Sequence, residues 1–296
     1  MSLDVADLLE SWTIHLRARR RSPRTIRAYT TGVRLYARWC AAAGRPVTLD
    51  RGAVTTWTAY LLDAGAEGAT ARSRQLAVRR FSAWLADQGE IERDDLLGVV
   101  PPKLDVKVVE SLTNEELAAL IAACAGKTFR DRRDTAIVRL MAETGLRSEE
   151  LLSMTVADTS VPSGIATVRR GKGGKGRTVP FGPRTSASLD TYLRVRRPHR
   201  LAGGPELWLG DRGKGFGYYG LRDTIRYRGR LAGIEGMRPH LLRHTAAARW
   251  LDAGGSEGGL MAVAGWSRRD MIDRYVRATS ERRAAEESRR LDLGEI

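Results

Sequence analysis

"GVVPPKLDVKVVESLT", residues 98–113, divides this chain. It carries a Pro–Pro pair and no apolar stripe at helical spacing, so it reads as a linker between two folded parts. On that reading residues 1–97 form one domain, 98–112 the linker and 113–296 the second domain. A length of 296 residues with 42% hydrophobic content is enough for two buried cores.

Before the linker, apolar residues recur at helical spacing and stop at glycines. Val5, Leu8, Leu9, Trp12 and Leu16 form the first stripe. Ser22-Pro23 then supplies a cap and first-turn pair for Ile26, Tyr29, Val33, Tyr36 and Cys40, which end at Gly44. Val54, Trp57 and Leu61 precede Gly65, and Leu76, Phe81 and Trp84 precede Gly89. Four short amphipathic helices predict a small bundle, with arginines such as Arg24, Arg72 and Arg74 on its polar sides.

After the linker, Thr113 and Glu116 stand at capping-box spacing, and a second helix carries Ala136, Ile137, Leu140 and Met141 to Gly145. The period then changes. "GIATVRR" and "GRTVPF" alternate around the glycine-rich "GKGGK", which predicts a β-hairpin with Lys172 and Lys175 at its turn. Helices return at 186–196, 218–231, 239–251 and from 267 onward. The fold class is therefore mainly α with a small β-hairpin or sheet: a helical bundle followed by an α+β domain.

Charge narrows the partner. The chain holds 50 Lys+Arg against 35 Asp+Glu, a net +15, and the excess is +4 over residues 1–100 and +11 over 101–296. An excess of this size points to a polyanion, nucleic acid first. All but six of the basic residues are arginine, so a lysine such as Lys172 marks a place where an ammonium is needed or a chance survivor. Cys40 and Cys124 are too few for a disulfide framework or a cysteine zinc site. With no charged-then-apolar leader and no run of about 18 apolar residues, a soluble cytoplasmic protein without membrane contact is expected.

The stretch "MRPHLLRHTA" (237–246) holds two of the four histidines. Pro239 suits a first helical turn, which puts His240, Arg243 and His244 on one face. A zinc site is a poor reading because an arginine between two histidines repels the cation; ordinary packing, an acid/base pair or a phosphate grip remain. In "TGLRSEEL" (144–151), Gly145 ends one helix, Ser148 can cap the next, and Arg147 lies at a junction that favours an anion. Glu150 either orients that guanidinium or decorates the helix. "GWSRRDMIDRYVRAT" (265–279) adds Trp266 and, among apolar neighbours, Tyr275.

These pieces together resemble the tyrosine recombinase, or phage integrase, family. The ordered set is "GLRxxEL" with Arg147 and Glu150, "GKGxKxRxVP" with Lys172, Lys175 and Arg177, "HxLRHT" with His240 and Arg243, "GW" with Trp266 and "RYVRAT" with Tyr275. Trp266 stands where many members carry histidine. The resemblance implies an N-terminal helical core-binding domain, a linker and a catalytic domain that exchanges DNA strands through a 3′-phosphotyrosine without metal, ATP or other cofactor. Tyr275 would be the nucleophile, and Arg147 and Arg243 would neutralise the phosphate. His240 would take the tyrosine's proton or hold the phosphate, Lys172 would protonate the leaving 5′ oxygen, and Trp266 would donate one hydrogen bond. Glu150 and His244 would support this set from behind. Arg24, Arg72, Arg74, Lys175 and Arg177 would contact DNA. The partners implied are double-stranded recombination sites, further copies of the chain in a tetramer on DNA, and accessory DNA-bending proteins. Nucleoid association follows, and without a further N-terminal arm-binding domain the chain leans towards a simple integrase or an Xer-like enzyme, with mobile-element integration and Xer-like resolution both open.

Overall fold

The computed structural model describes residues 5–104, 109–169, 176–211, 213–273, 275–276 and 288–289. The expected hairpin-turn lysines, Lys172 and Lys175, lie outside the described residues. The chain divides into two compact units, Met1–Val106 and Lys107–Ile296.

Four helices build the first unit: α1 (Val5–Ala18), α2 (Pro23–Ala42), α3 (Arg51–Asp63) and α4 (Gly68–Gln88). Ser22 caps α2 by accepting from the Thr25 amide, with Pro23 in the first turn as its fixed φ favours. Asp50 caps α3 in the same way through the Ala53 amide. Helix α2 lies close against α4 because Gly32 has no side chain; a Cβ there would come within 2.5 Å of Ala77 Cβ. Aromatic rings fill the two cores, Trp12 against Phe81 at 5.1 Å in one and Tyr36 against Trp57 at 5.0 Å in the other.

Leu96 and Val99 join the second of these cores, while Leu112 is buried in the core of the other unit and donates its amide to Thr245 Oγ1 at 2.9 Å. Packed chain thus enters the 98–112 stretch from both ends, which the proline pair alone does not reveal.

The second unit begins with α5 (Asn114–Ala122), α6 (Phe129–Thr144) and α7 (Ser148–Leu152). The Thr113–Glu116 capping box forms with both reciprocal bonds. A three-stranded antiparallel sheet follows, β1 (Thr159–Ser160), β2 (Ile165–Val168) and β3 (Arg177–Pro180), in the order β1-β2-β3. The expected hairpin is β2–β3, with Val168 opposite Arg177; β1 adds an edge too short to carry a periodic signal. Then come α8 (Pro183–Arg196), α9 (Tyr218–Leu231), α10 (Pro239–Asp252) and α11 (Glu257–Ala264). Helix α6 packs against α8 and α10 and lays Ile137, Leu140 and Met141 into the core.

Helix α11 was not expected, because Gly258 and Gly259 each cost about 1 kcal/mol of helix propensity against alanine. Its start is fixed by Ser256, whose hydroxyl accepts from the Gly259 amide, and its length by burial of Leu260 and Ala264 with Ala247 and Leu251 of α10. Tertiary burial outweighs the local preference. The architecture is mainly helical with one small antiparallel sheet.

Candidate active site

Gly145 ends α6 in the left-handed conformation, φ 63°, and the chain turns directly into α7. Ser148 is the first helical residue there, so the expected serine cap does not form; Arg147 holds the cap position instead. The carboxylate of Glu150 accepts the Arg147 amide at 2.9 Å and the Arg147 guanidinium at 2.7 Å. One acid therefore caps the start of α7 and orients the arginine. The other terminal nitrogen of Arg147 donates to the Gly265 carbonyl at 3.1 Å.

Arg243 lies on α10 and is 4% exposed. It donates to the Gly145 carbonyl and, at 2.8 Å, to the Ala264 carbonyl, which brings it between the end of α6 and the end of α11. Burial and the neighbouring Arg147 push its pKa down to about 10, which still leaves it charged at neutral pH. Burial pushes the Glu150 carboxyl up, but hydrogen bonds from Arg177 and Arg147 outweigh this and hold it at about 2. The cluster Arg147, Arg177, Arg243 and Glu150 has three cations and one anion, an electrostatic surplus suited to a phosphate.

Tyr275 is buried, its ring stacked on Trp266 at 5.3 Å between centroids. The Arg243 guanidinium lies over the other side chain of that stack, 5.3 Å from the Trp266 ring centroid. The Tyr275 hydroxyl is hydrogen-bonded to His244 Nδ1. The indole Nε1–H of Trp266 is buried and has no hydrogen-bond partner among the described residues.

Of the two roles expected for His240, taking the tyrosine's proton or holding the phosphate, the first falls in the structure to the position of His244, whose Nδ1 meets the Tyr275 hydroxyl. His240, one turn earlier on α10, is exposed and stands edge-on to His244 with ring centroids 4.5 Å apart. At i and i+4 both rings share a face, and spacing alone does not tell which of them meets a residue 31 positions further on. Arg147, Glu150, Arg243, His244, Trp266 and Tyr275 are thus brought together, with His240 at the margin.

Arg177 departs from the expected DNA-facing role. It points inward from β3, and all three guanidinium nitrogens are engaged by protein: both terminal nitrogens by Glu150, at 2.9 and 2.7 Å, and Nε by the Val263 carbonyl at 2.7 Å. A signal for this existed in the alternation of β3, since Arg177 lies two residues before the buried Val179 and so on the same face. In the first unit, Arg24 and Arg72 are exposed and Arg74 is half-buried. Among the described residues no three His, Cys, Asp or Glu side chains are grouped to hold a metal, and no helix is long and apolar enough to cross a membrane.

Comparison with known proteins identifies the family. Residues 110–282 match the model of the phage integrase family, and residues 9–89 match that of the phage integrase N-terminal SAM-like domain. The chain is similar to the tyrosine recombinase XerC of Corynebacterium glutamicum, 29% identical with 88% of this chain and 84% of the relative covered. It is also similar to XerA of Pyrococcus furiosus, 29% identical over 93% of this chain and 91% of the relative. Among solved structures, XerH site-specific recombinase bound to palindromic difH substrate, a post-cleavage complex, shares the fold with a TM-score of 0.74 at 19% identity, covering 95% of this chain and 83% of that one. A lambda integrase dimer bound to a core site gives 0.70 at 17% identity over 93% of this chain and 95% of that one. Nearly six-tenths of the chain lies within a single family match, and the motifs that built the site lie inside it: this chain belongs to the phage integrase family, the tyrosine recombinases.

Proposed function

We propose that this protein is a site-specific DNA recombinase that cuts and rejoins strands through a covalent bond between Tyr275 and a 3′ phosphate. The observation that carries the reading is one buried tyrosine whose hydroxyl contacts His244 and whose ring stacks on Trp266, with Arg243 over that indole and Arg147 and Arg243 both held at the end of α11.

The Tyr275 oxygen attacks phosphorus, the bond from phosphorus to the 5′ oxygen breaks, and the phosphodiester passes to the tyrosine without loss of bond energy. The proton of the hydroxyl goes to an imidazole, whose ordinary pKa near 6.5 suits either direction of transfer. His244 is in contact with that hydroxyl, and His240 on the same helix face holds the phosphate. As the nonbridging oxygens gain charge, Arg147 and Arg243 meet them with N–H groups already oriented by Glu150 and by backbone carbonyls, so little reorganisation is needed. Lys172 protonates the departing 5′ oxygen, a task for which arginine is too weak an acid. Rejoining is the same path in reverse with a second strand's 5′ hydroxyl.

The basic first unit supplies further phosphate contacts through residues such as Arg24, Arg72 and Arg74, and Lys175 adds to them from the second. The working assembly is a tetramer on two sites with accessory DNA-bending proteins, acting on the nucleoid in the cytoplasm.

The test uses duplexes selected for binding from a random-sequence pool and nicked to trap the cleaved state. The wild type is expected to form a covalent protein–DNA band on a denaturing gel and to exchange strands between two labelled duplexes. A band without exchange would place the protein with nicking-closing enzymes, and binding without any band would leave a DNA-binding regulator. A sulfur at the 5′ bridging position leaves as a thiolate with an ordinary pKa of about 8.5, so it should restore cleavage selectively to Lys172→Ala and not to Lys175→Ala.

A further inference from the structure

Three consecutive carbonyls close α11, and each accepts from a different arginine. Val263 takes Arg177 at 2.7 Å, Ala264 takes Arg243 at 2.8 Å and Gly265 takes Arg147 at 3.1 Å. The last carbonyls of a helix lack intrahelical donors and carry the negative end of its dipole, so they gather cations. Two of these arginines belong to the phosphate grip. The third, Arg177, bonds Glu150 and Val263 through all three nitrogens, and its side chain is only 11% exposed, so its contacts serve to hold other groups of the protein in place.

We propose that Arg177 is a positioning residue of the recombination reaction, setting the phosphate-binding plane of Arg147 through Glu150 and the end of α11. The inference rests on the phosphodiester reading of the site given above. A carboxylate offers about four acceptor positions, and Glu150 fills them with two bonds from Arg177 and two from Arg147, its amide and its guanidinium. The fork of Arg177 fixes both oxygens of Glu150 and thereby the direction from which Oε1 meets Arg147. Each terminal nitrogen of Arg147 then has one hydrogen committed, to Glu150 and to Gly265, and retains a second for a phosphate oxygen. Gly265 makes the arrangement possible. It adopts φ 62°, and a Cβ at that position would lie 2.9–3.1 Å from three atoms of the Arg177 guanidinium.

A lysine at 177 supplies one charge without a fork, and a glutamine neither. Single-turnover formation of the covalent complex is therefore measured for wild type, Arg177→Gln, Arg177→Lys, Arg147→Ala and the double variant Arg147→Ala/Arg177→Gln, on the nicked duplexes described above, with DNA affinity and melting temperature recorded for each. Arg177→Gln should slow cleavage about 10-fold or more, short of the roughly 10²-fold expected for removing a donor itself, with DNA affinity unchanged. Arg177→Lys should regain part of the rate. In the Arg147→Ala background, Arg177→Gln should change the rate less than about 2-fold, because residues acting as one unit are not additive. Full additivity of the two losses, or a wild-type rate for Arg177→Gln, would overturn the proposal. If Arg177→Gln does not fold, the same cycle with Arg177→Lys decides, since independent action would again make its loss add to that of Arg147→Ala. Absence of any covalent complex with the wild type would instead overturn the reading of the site, and the two failures are thus told apart.

Discussion

The second unit holds two groups of arginines around buried carboxylates, and they differ in charge balance; buried Arg196 stands apart from both, donating to backbone carbonyls of residues 202–207. In one, Arg133 and Arg228 enclose Asp134: Arg133 donates to its Oδ1 at 2.8 Å, Arg228 to its Oδ2 at 2.9 Å, and Arg228 reaches Asp131 as well at 2.8 Å. Two cations meet two anions there. In the other, Arg147, Arg177 and Arg243 share Glu150 alone. The first group joins α6 to α9 and is electrostatically complete. The second keeps a surplus of positive charge under low-dielectric cover, where its field on an incoming phosphate is strongest. The first unit has no counterpart among its described residues: its buried polar side chains are Thr30, Thr58, Gln75 and Ser82, and its arginines lie at or near the surface. The two carboxylate-centred groups and the surface arginines of the first unit thus differ in burial and in whether acids balance the charge.

The largest effect tests whether the unbalanced group serves a reaction at all. Tyr275→Phe should bind DNA as the wild type does and give no covalent band; any band would move the nucleophile elsewhere. The next comparison is between the two groups directly. Arg243→Ala should lower cleavage by roughly 10²-fold or more, the scale of losing one preorganised donor, and should change stability less than Asp134→Asn does. Asp134→Asn leaves two buried arginines facing one carboxylate, so unfolding in urea should show a loss of about 3–5 kcal/mol, with the cleavage rate per folded molecule preserved. If Asp134→Asn instead impaired cleavage without loss of stability, the division between the groups would fail.

Glu150 provides a sharper test through pH. Its folded pKa of about 2 lies below the ordinary 4.5, so its contribution is fully present above pH 4.5 and is lost as pH falls through about 2. The size is on the order of 3 kcal/mol at neutral pH. Urea unfolding between pH 5 and 2.5 should therefore show a slope that Glu150→Gln reduces; an unaltered slope would mean that this carboxylate is not the one holding the arginines.

The smallest effect concerns Trp266. Trp266→Phe keeps an aromatic ring to stack on Tyr275 and to lie under Arg243 but removes the indole donor, which has no acceptor among the described residues. Cleavage should fall by about tenfold or less, the value of one hydrogen bond, while the melting temperature holds or rises because a buried donor without a partner is gone. Trp266→His should retain more activity than Trp266→Ala. Equal rates for Trp266→Ala and wild type would leave the ring as packing only.

Much of this molecule was legible in the order of its residues. Helix ends marked by Ser22-Pro23, Thr113 with Glu116, Gly89 and Gly145 depend on bonds within four residues, and all of them form. The hairpin strands followed from alternation, and the catalytic candidates from ordered motifs. What escaped depended on distant neighbours. Helix α11 overrides two glycines because α10 buries its apolar face, and the packing of Val99 and Leu112 draws in a stretch that reads as open.

The sequence by itself determined which residue types are available to the site and where the helices that carry them begin and end, because capping, periodicity and residue chemistry are local properties. It also determined the cationic surplus, a matter of counting. Only the tertiary structure decided that His244 meets the Tyr275 hydroxyl, and that Arg177 turns inward to Glu150 while three arginines converge on the last carbonyls of α11. Those contacts join residues 21 to 118 positions apart. Their partners are chosen by which helix end and which strand face come to lie together in the packed core, a choice that no spacing along the chain encodes.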